Sequence, residues 1–264
     1  MLKRKTPLEK EIASVVKKEE EYIRKHYEEN ESFINRKLEE KVPENFQSRL
    51  DSAFSKAFAL VFQKGTGVIE KTYSKEKHQR SYMENEELAA ERNTRKTLRA
   101  FKKNAARSGG KNLVISGVEG VGLGLLGIGL PDIPVFVAVI LKSVYETALH
   151  YGYDYEGEEE RYFILKLIET ALSRGSSLEE KNKAVEIFLE KRTLPESYRR
   201  DEQIELTSSM LSKELLYMKF LQGIPVAGVI GGIYDSVYLN RILRYARLKY
   251  RKRFLLDRLH ESNK

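Results

Sequence analysis

Apolar residues recur at intervals of three and four along most of the 264-residue chain, which is the periodicity of an amphipathic helix. Residues 8–38 follow this rhythm among many glutamates and lysines, and residues 46–73 repeat it with phenylalanine at several of the apolar positions. The two-residue alternation of a half-buried strand does not extend over a useful length. The pattern therefore predicts an all-α fold, a multi-helix bundle.

Turn and capping signals divide the pattern into separate helices. Gly109-Gly110 and Pro195 interrupt it, since glycine and proline disfavour helix interiors. Asp132 is the predicted N-cap of the next helix, because a carboxylate there accepts hydrogen bonds from free N–H groups of the first turn. The predicted helices cover about residues 8–38, 46–73, 84–107, 133–151, 162–172, 178–191, 204–221 and 225–259.

Two apolar, glycine-studded stretches stand out from this charged chain, residues 113–141 and 220–239. Small residues at spacings of three and four share one face of a helix and let a neighbouring helix approach closely. The stretches therefore predict two glycine-rich helices packed centrally in the bundle, while insertion into a bilayer or close contact with one is the alternative. The small residues concerned are Gly117, Gly120, Gly124 and Gly127 in the first stretch and Ala227, Gly228, Gly231 and Gly232 in the second.

Composition indicates one folded unit and anionic partners. With 41% hydrophobic residues, residues 1–264 can bury one core, in which residues 1–45 supply a long N-terminal amphipathic helix. The net charge of +8 and the pI near 9.3 favour anionic partners. The absence of cysteine excludes disulfides and thiolate sites, and residues 1–18 lack the apolar core of a secretory signal. We therefore expect a cytoplasmic location.

The last helix is the strongest candidate for a binding surface. Five arginines fall within one sector of it at about 100° per residue, and aromatic and aliphatic residues occupy the opposite side. A basic amphipathic helix beside an apolar segment suits a membrane rich in anionic lipid, whereas an ordinary solvated face is the alternative. Nucleic acid is disfavoured, because no reading motif is present. The arginines are Arg241, Arg244, Arg247, Arg251 and Arg258.

One polar cluster is a candidate for acid–base chemistry. Glu146, His150 and Asp154 follow one another at spacings of four with tyrosines between them, so that a carboxylate can orient an imidazole. Ordinary helix-end chemistry explains the same residues, since a histidine near a helix C-terminus is favoured by the dipole. The four histidines are too scattered to predict a metal site, and we expect no cofactor.

The glycine stretches also carry a family resemblance. Residues 117–134 read GVEGVGLGLLGIGLPDIP, residues 140–154 read ILKSVYETALHYGYD, and residues 223–232 read GIPVAGVIGG. In this order the three segments resemble the signature of EcsC-like bacterial proteins over about residues 84–258. Many members place asparagine after the second glycine run, where this chain has Tyr234-Asp235, so the resemblance assigns no role to that position.

What the resemblance implies is an association rather than a reaction. The family is named for a protein encoded beside an ABC transporter linked to secretion, and it offers no catalytic residue to carry over. The resemblance does not decide between the possible functions. The first hypothesis is a non-enzymatic accessory or interaction protein on the cytoplasmic face of the membrane, with anionic lipid or a membrane protein, such as an ABC transporter, as partner. A soluble hydrolase using the Glu146 cluster and a soluble helical scaffold are the alternatives, and the oligomeric state stays open.

Overall fold

The protein is all-α, as predicted, over every residue that the structure describes. A computed structural model describes residues 5–27, 44–62, 73–107, 132–221 and 236–262. Within these ranges the backbone forms helices and connecting turns, and no strand is present. The helices are α1 (Pro7–Tyr27), α2 (Glu44–Leu60), α3 (Lys75–Glu91), α4 (Arg95–Arg107), α5 (Asp132–His150), α6 (Glu158–Leu172), α7 (Gly175–Lys191), α8 (Arg200–Leu221) and α9 (Ser236–Ser262).

Helices α5, α6 and α9 form the centre of the bundle. Between Ile133 and Leu149, α5 is apolar with few interruptions, and a helix that is apolar on all sides is stable only when it is covered on all sides. Helix α9 packs against α1, α4, α5 and α6, and it buries Tyr245, Tyr250 and Phe254 among them. The helix that the sequence presents as a surface element is therefore an internal one.

Contacts between side chains give the directions of the helices. Just past the end of α5, the ring of Tyr151 meets Phe254 of α9, with ring centroids 5.7 Å apart. Helix α6 runs antiparallel to α9, since Glu160 near its start contacts Tyr250 and Ser173 just past its end contacts Arg241. The Tyr238 hydroxyl donates to the Glu214 carbonyl at 2.6 Å, so α9 starts beside the C-terminal half of α8.

The helix predicted over residues 84–107 is two helices, α3 and α4. The backbone leaves helical angles at Arg92, and α4 starts after Thr94. The hydroxyl of Thr94 accepts from the Thr97 backbone N–H at 3.3 Å, and the hydroxyl of Thr97 accepts from the Thr94 N–H at 3.2 Å. This reciprocal capping supplies partners for N–H groups that a new helix leaves free. The break lets α3 and α4 fold into a hairpin.

The α3–α4 hairpin docks on the central helices through rings and a close backbone contact. Phe101 contacts Phe254 with ring centroids 4.5 Å apart, and the Tyr82 ring lies over Gly152. Gly152 has a φ of +80°, and a Cβ there would lie 2.5 Å from the Tyr82 ring. Only glycine fits, because it tolerates positive φ and has no side chain. The hairpin thereby covers the C-terminal ends of α5 and α9.

Several predictions fall outside the described residues. These are the second half of the helix over residues 8–38, and the packing of the glycine-rich stretches. Helix α5 spans Asp132–His150, within one residue of the predicted 133–151. The side chain of Asp132 lies outside the described part, so its capping role stays a prediction. Among the helices of the described ranges, none is both long enough and apolar enough to cross a bilayer. The undescribed small residues are Gly117, Gly120, Gly124, Gly127, Ala227, Gly228, Gly231 and Gly232.

Candidate functional site

The five arginines of α9 do not form one exposed stripe, which corrects the expectation from the sequence. Arg251 is 4% exposed and pairs with Glu11 of α1, and Arg241 donates to the Ser173 carbonyl at 2.8 Å. Arg258 pairs with Glu86 of α3, and Arg247 is partly buried. Of the five, Arg244 alone is exposed. The helical periodicity is right, but α1, α3 and α6 supply contacts on the side that was expected to face solvent.

Two lysines of α9 are also used inside the protein. Lys249 is fully buried, and its ammonium contacts the carboxylates of Glu19 on α1 and Glu186 on α7. Lys252 contacts the same two carboxylates at 2.7 and 2.6 Å. Burial by itself would raise the pKa of Glu19, but the charge and hydrogen bond of Lys249 outweigh it and lower this pKa to about 2. The network ties α1, α7 and α9 together and is neutral overall.

A second network is strongly unbalanced in charge. The carboxylate of Glu11 on α1 is fully buried and accepts from the Arg95 Nε at 2.6 Å and the Arg99 Nε at 3.0 Å. Arg251 contacts its other oxygen. Burial favours the neutral acid, but the hydrogen bond from Arg95 and the charges of Arg251 and Arg99 prevail and lower the pKa of Glu11. One negative charge therefore faces three guanidinium groups.

The positive charge continues beyond Glu11 along α1 and α4. Partial desolvation of the Lys102 ammonium, together with the like charge of Lys18 on α1, lowers the pKa of Lys102 to about 8. Lys96 and Lys103 are exposed on the same helix. We define the basic face as Lys18, Lys96, Arg99, Lys102 and Lys103.

Sequence reasoning missed the basic face, although a signal was present. Helix α4 carries six basic residues and no acidic residue in 13 positions. The arginines of the longer α9 keep a regular spacing, which makes α9 the stronger candidate in the sequence. Which basic helix faces solvent depends on the tertiary packing, and the periodicity of one helix does not contain that information.

The structure brings Glu146 and His150 together with a histidine from another helix. His78 of α3 contacts His150 edge to face, with ring centroids 4.5 Å apart, and its Nε2 lies 3.8 Å from a carboxylate oxygen of Glu146. Among the described residues, the buried Nδ1 of His150 has no hydrogen-bond partner. Burial raises the pKa of Glu146 and lowers that of His150 to about 4, so each shift is towards the neutral form of the group.

Asp154, the third predicted member, lies apart from this cluster. Its carboxylate is exposed at the turn after α5, accepts from the Glu156 backbone N–H at 3.1 Å, and lies 3.6 Å from the Lys75 ammonium. The three residues therefore do not form one constellation. Within the described ranges, no group of three or more histidine or carboxylate side chains is arranged to hold a metal ion.

The buried imidazole of His150 predicts acid sensitivity. The unfolded chain binds a proton at His150 near pH 6.5, whereas the folded protein binds it only near pH 4. The neutral imidazole of His150 therefore contributes to the stability of the folded protein above pH 6.5, and this contribution is lost as the pH falls towards 4. Between pH 7.5 and pH 5.0, the unfolding free energy of the wild type should fall by about 2 kcal/mol more than that of His150→Phe.

Urea unfolding of both proteins at the two pH values measures this difference. The raised pKa of Glu146 has the opposite effect on stability, because protonation in acid favours the folded state. This contribution is the same in both proteins. Equal losses in the wild type and in His150→Phe would contradict the assignment of acid sensitivity to His150.

The fold and the site together define a class of protein. It is a helical protein with a buried, neutral network of ion pairs and a basic face that carries excess positive charge. The chain belongs to the EcsC protein family, whose model matches residues 8–255. The resemblance drawn from the glycine stretches is thereby confirmed, and it extends further towards the N-terminus than residue 84.

The relatives share about half of their length with this chain. It is 28% identical over 142 residues to Protein EcsC of Bacillus subtilis (strain 168), covering 53% of this chain and 52% of that protein. It is 26% identical over 160 residues to the protein named Uncharacterized protein YdbA of the same organism, covering 56% of this chain and 55% of that protein. The chain thus spans about half the length of the curated relatives it matches, and no solved structure matches it.

Proposed function

We propose that this protein is a non-enzymatic accessory protein that binds peripherally to an anionic surface on the cytoplasmic side of a membrane through the basic face of α1 and α4. The observation that carries the proposal is the charge imbalance around Glu11. In the Lys249 network two lysines meet two carboxylates, but here one carboxylate serves three arginines. The positive charges of Lys18, Arg99 and Arg251 also act together on Lys102. Excess charge of this kind is stabilised by an anionic partner.

The expected strength suits reversible attachment. Each basic residue close to an anionic membrane contributes about 1 kcal/mol, and the attraction fades over a Debye length of about 8 Å at physiological salt. The basic face holds five such residues, of which Lys96, Arg99, Lys102 and Lys103 are exposed. Helix α4 is also followed in sequence by the apolar residues 113–141. Charge and apolar surface together are what peripheral membrane proteins use.

Vesicle co-sedimentation with a charge-reversed variant tests the proposal. The protein should sediment with vesicles that contain phosphatidylglycerol and not with pure phosphatidylcholine, and salt should weaken the binding. The triple variant Lys96→Glu, Lys102→Glu and Lys103→Glu should lose at least tenfold in affinity. None of these lysines pairs with a carboxylate among the described residues, so the variant should keep its fold.

The matched control changes the net charge equally on other faces. Lys56 of α2, Lys191 of α7 and Lys213 of α8 are exposed, and Lys56→Glu, Lys191→Glu and Lys213→Glu together should retain most of the binding. Equal losses of vesicle affinity in the two triple variants would show that binding responds to net charge alone. The basic face would then not be the binding surface. Failure of the wild type to bind protein-free vesicles would favour a membrane protein, such as a transporter, as the partner.

Acid–base catalysis at Glu146 and His150 is the second candidate. It is favoured by the raised pKa of Glu146, which suits a general acid, and by the unpartnered Nδ1 of His150 beside His78. A hydrolase of this kind would lose turnover in both His150→Phe and Glu146→Gln while keeping its vesicle binding. A broad hydrolase substrate screen of the wild type and both variants tests it, and activity that persists in the variants would rule it out.

A further inference from the structure

Helix α3 is held to the bundle mainly by polar and aromatic contacts. Its first half, residues 75–82, meets α5 and the turn after it through three pairs of residues, which are Lys75 with Glu156, His78 with His150 and Tyr82 with Gly152. Of the 17 residues of α3 only Ala89 is buried, whereas α6 buries apolar residues along most of its length. A segment that buries few apolar side chains opens at a lower free energy than the core does. Helix α3 is therefore less firmly attached than α6.

Two imidazole rings form the centre of this attachment. His78 meets His150 edge to face, with ring centroids 4.5 Å apart, and a carboxylate oxygen of Glu146 lies 3.8 Å from the Nε2 of His78. His150 is 7% exposed, and its Nδ1 has no hydrogen-bond partner in the part of the chain that the structure describes. A proton on this nitrogen would be buried without an acceptor, which is costly. The contact therefore suits neutral rings.

The surroundings of the two rings are mostly positive. Their charged and titratable neighbours are Lys77 on α3, Lys142 and Glu146 on α5, Arg247 on α9 and Tyr73 just before α3. Three of these neighbours are cations and one is a carboxylate, so a proton added to either ring is opposed by like charge as well as by burial. Separation of the rings and entry of water would relieve both costs.

We propose that the contact of His78 with His150 is an acid-sensitive switch, in which protonation of the two rings releases the first half of α3 while the rest of the bundle stays folded. The second half remains attached, because Glu86 contacts Arg258 of α9 and Ala89 is buried. The switch is independent of membrane attachment. It differs from the acid sensitivity of the whole fold, because only part of one helix moves.

Acid favours the open state. In the closed state burial and the like charges of His78 and Arg247 lower the pKa of His150 to about 4, whereas water in the open state returns it to its ordinary value of 6.5. Below pH 6.5 the open state therefore binds more protons at His150, and burial gives His78 the same direction. Glu146 acts in the opposite direction, because burial raises its pKa. His150 alone should raise the opening constant about tenfold between pH 7.5 and 5.5.

Hydrogen exchange followed by mass spectrometry tests the switch, with each rate divided by the intrinsic rate at the same pH. In the wild type the protection of residues 75–84 should fall at least about fivefold from pH 7.5 to 5.5. At pH 5.5 residues 158–172 of α6 should stay at least about a hundredfold better protected, because the core remains closed. Equal protection of the two segments at pH 5.5, or unchanged protection of residues 75–84, would overturn the switch.

Variants assign the response to one histidine. His150→Gln and His150→Phe replace the imidazole with groups that do not titrate, and in each the protection of residues 75–84 should change less than about twofold between the two pH values. The two replacements differ in shape and polarity, so either one that folds provides the test. The matched control is His26→Gln, which removes another buried histidine, on α1, and should keep the wild-type fall. A wild-type fall in the His150 variants, or its loss in His26→Gln, would contradict the assignment.

Discussion

Replacing Arg251 with glutamate should lower the free energy of unfolding by at least about 4 kcal/mol, whereas Arg244→Glu should change it by no more than about 1 kcal/mol. Arg251 is the buried partner of Glu11, whereas the side chains of Arg95 and Arg99 are 42% and 53% exposed. The substitution therefore removes the interior cation and places a second carboxylate in the interior beside the first. Arg244 is exposed, and its guanidinium lies 6.0 Å from the Tyr22 ring centroid, at the limit of a cation–π contact.

Urea denaturation of the two variants, followed by circular dichroism, measures the contrast. The sequence places both arginines on one stripe with one role, whereas the structure separates a buried residue from an exposed one. Similar unfolding free energies for the two variants would mean that Arg251 is not buried against α1. The central position of α9 would then be wrong.

The Arg174–Glu214 pair should have the second large effect. Arg174, between α6 and α7, meets Glu214 of α8 through both terminal nitrogens, with Nη2 at 2.6 Å from Oε2, and each residue is 6% exposed. Glu214→Gln removes the carboxylate charge that both terminal nitrogens of Arg174 meet, and it should cost about 3 kcal/mol of unfolding free energy. The pair joins the α6–α7 connection to α8, so its loss should loosen that side of the bundle.

A double variant distinguishes the pair from its individual members. Arg174→Met with Glu214→Leu replaces both charges by apolar side chains of similar size, and such replacements are often close to neutral. We expect the double variant to unfold at higher urea concentration than Glu214→Gln alone. A double variant less stable than the single one would mean that the two residues act through separate contacts.

The fold class and most of the helices could be predicted from the sequence, because apolar periodicity reflects the face that each helix buries. The helix over residues 133–151 is the clearest case, since α5 spans Asp132–His150. The break between α3 and α4 was missed, because Thr94 and Thr97 cap a helix within a continuous charged stretch. Capping by threonines can break a helix although the helical periodicity continues, and its signal in the sequence is weak.

The candidate site was less predictable, because it depends on contacts between distant residues. Glu146 and His150 lie one helical turn apart, so their proximity was predicted, but His78 joins them from α3, 68 residues away from Glu146 along the chain. The basic face likewise depends on Glu11 meeting Arg95, Arg99 and Arg251. Periodicity shows which residues share a helix face, but not which helix covers that face.

The most direct measurement of the central claim is where an anionic membrane touches the protein. The chain has no cysteine, so Lys103→Cys and Lys191→Cys each give one labelling site, on the basic face and on α7 respectively. An environment-sensitive fluorophore at position 103 should brighten on phosphatidylglycerol vesicles and be quenched by a lipid-borne quencher, while the label at position 191 should not respond. A response at position 191 with none at position 103 would contradict attachment through the basic face.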